Sequence, residues 1–72
     1  MIDENFLPAM RQRIAGQVRE ARESAGMSMR QLAEKAGLTH RHIARVEDGT
    51  KNVTIDTLAL VARALGITIE IK

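Results

Sequence analysis

The sequence predicts an all-α domain closed by one short β-strand, and three observations predict it. Apolar residues recur at steps of three and four along four successive stretches, the signature of helices with one buried face. Aromatic residues make up 1% of the chain against 44% apolar, so the core is aliphatic and alanine-rich, which suits closely packed helices. The last residues, Ile67 to Lys72, change period to two, with Ile67, Ile69 and Ile71 on one face and Thr68, Glu70 and Lys72 on the other.

Taken in order, residues 1–7 read as an N-terminal arm. Asp3, Glu4 and Asn5 favour a turn or helix start, and Pro8 suits a first helical position, where its missing N–H is not needed. From Pro8 to about Ala25, the set Met10, Ile14, Val18, Ala21 and Ala25 marks a buried face, with Arg11, Arg13, Glu20 and Glu23 opposite. Gly16 inside this helix costs about 1 kcal/mol of helix propensity, so either a neighbour packs close to it or the helix is soft there. Gly26 stops the helix, and Ser28 with Gln31 three residues later has the form of a capping box for the next one.

That second helix ends at Gly37, where the chain turns, and Thr39 is placed to cap a third from His40 to about Asp48. Leu32, Ala36, Leu38, Ile43 and Val46 form one inward set across the two helices, and Ala33 sits where they press closest. His40, Arg41, Ala44 and Arg45 face outward. Two short helices sharing a core and meeting at a sharp corner make a helix-turn-helix. Asp48 to Asn52 is a loop by composition. Thr54 caps a fourth helix, Ile55 to Leu65, with Ile55, Leu58, Val61, Ala62 and Leu65 as its inner stripe and Gly66 as its stop. The closing strand has no partner strand in the chain, so a second copy of the chain is expected to supply one.

Bulk properties bound the function. Seventy-two residues, 1–72, form a single domain near the lower limit for a self-supporting core. Without cysteine, neither disulfides nor thiolate metal sites can reinforce it, which fits a reducing cytoplasm and leaves dimerisation as the common remedy. A net charge of +2 is too slight to argue for nucleic acid by itself, so the placement of the basic residues has to carry that argument. No stretch has the length of a membrane span, and the acidic start is unlike a basic signal sequence. Catalysis finds no support. His40 and His42 are two apart on a helix and diverge, and Ser24 and Ser28 have no histidine and carboxylate partners at recognisable spacing. No cofactor and no metal are expected.

The segments in order are Arg22, QLAEKAGL within Ser28 to Leu38, THRHIARVEDG from Thr39 to Gly49, and Thr54 to Gly66 ending in ARALG. Together, at unbroken spacing from about Ile14 to Leu65, they resemble the Cro/cI-type helix-turn-helix proteins, the XRE family. The closing strand resembles the C-terminal tail of HipB-like antitoxins, whose dimers pair such strands. The resemblance implies a lambda-repressor-like bundle of four to five helices and a DNA-binding transcription regulator, a repressor, acting as a homodimer on a twofold-symmetric operator.

It places base reading on His40, Arg41 and Arg45. Arg41 and Arg45 are four apart and share a face, and guanidinium donors match the O6 and N7 acceptors of guanine. Phosphate contacts fall on Thr39, Lys51, Asn52, Arg30 and His42. Where the family often has a phosphate-bracing glutamine, this chain has Met29. Arg22 and Glu47 match a structural ion pair, and Ile67, Ile69 and Ile71 the dimer strand. The alternative is an antitoxin or adaptor that uses the same bundle and the closing strand to hold a toxin or other protein partner.

Overall fold

A computed structural model describes residues 3–71, and these form four helices: α1 (Phe6–Ser24), α2 (Met29–Ala36), α3 (His40–Asp48) and α4 (Ile55–Leu65). α1 packs on α3 and α4, and α2 packs on the same two. The shared core is Val18 of α1, Leu32, Ala33 and Ala36 of α2, Ile43 and Val46 of α3, and Val61 and Ala64 of α4. Small side chains at Ala33, Ala36 and Ala64 let the short helices approach closely around the four fully buried residues Val18, Leu32, Ile43 and Val61.

α1 begins two residues before Pro8. Asn5 is its N-cap, and its first turn is prepared by a bond from the Asn5 backbone N–H to the Asp3 side chain at 2.9 Å. Pro8 still lies in the first turn, where backbone N–H groups have no helical acceptor. The buried stripe of α1 is Met10, Ala15 and Val18, while Ile14 and Ala21 are half-buried and Ala25, past the last turn, is exposed. A Cβ added at Gly16 would meet nothing within 4 Å, so close packing is not what places glycine there.

The corner of the helix-turn-helix is built as the sequence suggests. Gly37 has φ of 74°, and the Leu38 N–H reaches back to the Ala33 carbonyl at 2.8 Å, which returns Leu38 to the edge of the core. Ser28 and Gln31 bond reciprocally at 3.1 and 2.8 Å to start α2.

Two expectations are corrected. Ile55, which the spacing places on the inner stripe of α4, is 78% exposed, because it stands in the first turn, where none of the described elements covers it; Ala64 takes the inward place. The closing strand is not formed: among the described residues there is no strand, and Lys72 lies outside them. The physical reason is the missing ladder. The Glu70 backbone is met instead by the Gln17 side chain, whose amide donates to the Glu70 carbonyl at 2.8 Å and accepts from its N–H at 2.9 Å. Ile67 and Ile69 remain half-buried between exposed neighbours, so the period-two pattern is obeyed as burial without becoming a sheet.

Candidate nucleic-acid interface

α3 has one face in and one face out. Ile43, Val46 and Glu47 are buried, while His40, Arg41, His42 and Arg45 are exposed; Arg41, His42 and Arg45 share one cleft and His40 lies towards α2, with Ala44 half-buried. Arg30, Thr39, Lys51 and Asn52 are exposed as well. A cleft of about 290 Å³ is lined by Arg41, His42 and Arg45 of α3 and by Asn52, Val53 and Thr54, which lead into α4.

The start of α3 is set by a capping box that uses histidine in the usual place of glutamate or glutamine. The Thr39 hydroxyl accepts from the His42 N–H at 3.3 Å, and the Thr39 N–H donates to His42 Nδ1 at 3.2 Å. Nδ1 as acceptor puts the ring proton on Nε2, the far side of the ring. The Thr39 hydroxyl lies 2.9 Å from the same Nδ1, so it is engaged within the cap. Donors for an anion at this end are therefore the first backbone amides of α3 and His42 Nε2.

Arg45 is not wholly outward-reaching. Its Nε donates to the Asn52 carbonyl at 3.1 Å, which ties α3 to the following loop and leaves the terminal amino groups of the fork for other acceptors. Met29 is half-buried against the core, so the position where the family often braces a phosphate is spent here on packing.

Arg22 and Glu47 meet across α1 and α3. Nε and Nη2 of Arg22 donate to the two carboxylate oxygens at 2.6 and 3.0 Å, and Nη1 caps the Met27 carbonyl at 2.8 Å. Glu47 is 5% exposed, the one buried charged residue among those described. Its hydrogen bond holds the Arg22 guanidinium above its ordinary range, against burial, which pulls it down. Arg19 adds a longer contact to Glu47 at 3.8 Å and donates to the Glu47 carbonyl at 2.5 Å.

Four α1 side chains make contacts that the apolar pattern does not predict. Arg11 bonds the Asn52 side chain, Gln12 donates to the Gly49 carbonyl at 3.3 Å, Gln17 holds Glu70, and Arg19 joins Glu47. For Gln12 and Arg19 a signal is present: Gln12, Ala15, Arg19 and Arg22 follow steps of three, four and three, a stripe of mixed polarity that an apolar count discards. Gln12 also explains part of Gly49, whose φ is 73° and where a Cβ would stand 2.8 Å from Gln12 Oε1. Among the described residues no group of three His, Asp or Glu is arranged to hold a metal, and no helix is long and apolar enough to cross a membrane.

Comparison with known proteins gives a consistent neighbourhood. The family model HTH_3, described as helix-turn-helix, matches residues 18–72. An uncharacterised HTH-type transcriptional regulator of Mycobacterium tuberculosis is 39% identical over 54 residues, 75% of this chain, and the chain spans 39% of its length. The control protein C.SmaI of Serratia marcescens is 39% identical over 56 residues, covering 78% of this chain and 67% of its own length. The crystal structure of an HTH_3 family transcriptional regulator from Vibrio cholerae superposes with a TM-score of 0.78 at 27% identity, over 86% of this chain and 35% of the other.

Proposed function

The chain belongs to the HTH_3 helix-turn-helix family, and on that premise we propose that it binds double-stranded DNA as a transcription regulator, a repressor, with α3 in the major groove. The observation that carries this reading is the division of α3: Ile43 and Val46 anchor the helix, and His40, Arg41 and Arg45 stand free of the core on the other side. A helix held this way presents groove-sized width and guanidinium donors together. Arg41 is the principal reader of guanine, with His40 beside it and Arg45 contributing through its terminal amino groups. The first amides of α3 next to Thr39, His42 Nε2, Lys51, Asn52 and Arg30 hold phosphates. The function is regulatory binding, not catalysis.

The regulator acts as a homodimer. Ile55, Ala59, Ala62, Ile69 and Ile71 line an apolar groove of about 370 Å³ between α4 and the C-terminal segment, and Ile71 is 63% exposed. A second copy is the occupant that the charges favour. Asp56 and Arg63, both exposed, are seven residues apart on one side of α4, so two α4 helices crossing antiparallel bring each Asp56 to the other copy's Arg63. The exposed Ile71 and the half-buried Ile67 and Ile69 are then covered by the second copy.

Selection from a random duplex library tests the whole reading. Enrichment of a motif with two related halves centred about 34 Å apart supports it. Salt-dependent binding without any enriched motif refutes the specific regulator. Monomeric behaviour at all concentrations refutes the homodimer and leaves the groove to a protein partner, the adaptor alternative.

A further inference from the structure

The side-chain amide of Asn52 has two unlike ends, an oxygen that accepts and a nitrogen that donates. A DNA phosphate offers only acceptors, so Asn52 helps hold one only when the nitrogen faces the duplex and the oxygen is turned away. Arg11, 41 residues earlier in the chain, donates from Nη2 to Asn52 Oδ1 at 2.6 Å. Gln12, its neighbour, donates to the Gly49 carbonyl at 3.3 Å, and Arg45 secures the Asn52 carbonyl at 3.1 Å. The loop between α3 and α4 is thus held from two helices, and a cation occupies the oxygen end of the amide.

We propose that Arg11 is a positioning residue for DNA binding: by fixing Oδ1 it commits the Asn52 amide to donate toward a phosphate. The first turns of α1, which precede the matched residues 18–72, thereby set affinity without touching a base. The inference rests on the DNA-binding reading and on Asn52 as a phosphate donor. Arg11 does not serve as the phosphate ligand itself, because it is half-buried and its guanidinium is directed at Asn52.

A double-mutant cycle on the full chain tests this, read by fluorescence anisotropy with a labelled random-sequence duplex across a salt series. Arg11→Ala and Asn52→Ala are each expected to weaken binding about three- to tenfold. The double variant is expected to bind no more weakly than Asn52→Ala alone, and Arg11→Ala is expected to keep the wild-type slope of affinity against salt. Arg11→Lys, which retains a donor, recovers part of the loss. Arg11→Met keeps the apolar stem and repeats the comparison should the alanine variant fold poorly. Additive losses together with a slope shallower by about 0.9 would make Arg11 a phosphate ligand in its own right and overturn the proposal. Wild-type affinity in Arg11→Met overturns it as well. A wild-type chain that binds no duplex at any salt refutes the DNA-binding reading and the proposal with it, an outcome distinct from the other two.

Discussion

Removing the Arg22 side chain should destabilise this domain strongly while leaving its base preference intact. Arg22→Ala strips the Glu47 carboxylate of bonds at 2.6 and 3.0 Å and leaves a group that is 5% exposed with no close cation but Arg19, 3.8 Å away. Breaking a buried pair from one side costs about 3–5 kcal/mol. The Arg19 side chain is 49% exposed and close enough to Glu47 to take over part of the role, which argues for the lower end of that range, about 3 kcal/mol. A domain of 72 residues has roughly 4–11 kcal/mol in total. The melting midpoint should therefore fall by roughly 12–24 °C, at about 4–8 °C per kcal/mol for a domain of this size.

Circular dichroism against temperature measures the loss, and replacing both partners by Arg22→Met with Glu47→Leu should cost less than Arg22→Ala alone. Because the raised guanidinium value means that the stabilisation is present below the ordinary arginine range and lost only as pH climbs through the higher folded value, Arg22 adds no pH dependence near neutrality. Affinity ratios between enriched and random duplexes, measured on folded protein, should stay at the wild-type value. A melt unchanged by Arg22→Ala would mean that Glu47 does not depend on this partner.

Two further outcomes are expected. Gly16→Ala should stabilise by about 1 kcal/mol, raising the thermal midpoint, because the added methyl meets no atom within 4 Å and the helix loses a poor former; a lower midpoint would reveal a clash. Ile55→Asp should shift sedimentation equilibrium from dimer to monomer at little cost to the melt of the monomer, since Ile55 is 78% exposed within one chain. An unchanged dimer would place the interface elsewhere.

The helices were legible because their signals are local. Ser28 with Gln31, Thr39 and Thr54 at helix starts, and Gly37 and Gly66 at helix ends each act within a few residues, and an apolar period of three and four finds the face. The exposed row on α3 was legible for the same reason, as the complement of Ile43 and Val46. Failures came where a distant element decides. Ile55 has the spacing of a core residue, but none of the described residues covers it, and it is 78% exposed. Ile67 to Ile71 alternate like a strand, yet a strand is a property of two segments, and Gln17 supplies a pair of hydrogen bonds from a helix instead. Arg11 and Gln12 look like solvated charge and polarity on α1, and only the packing of α1 over the loop after α3 turns them into its braces.

Whether Arg41 reads guanine from the major groove is decided by atomic substitution in the DNA. In an enriched duplex, replacing the contacted guanine by 7-deazaguanine removes the N7 acceptor and leaves Watson–Crick pairing in place. Wild-type binding is expected to weaken by about 5-fold or more, Arg41→Ala to weaken it at least as much because it also loses the O6 bond, and 7-deazaguanine to cost the Arg41→Ala variant little further. Wild-type affinity unaltered by 7-deazaguanine at every guanine of the motif, or an Arg41→Ala variant that keeps the wild-type motif, would contradict guanine reading by Arg41.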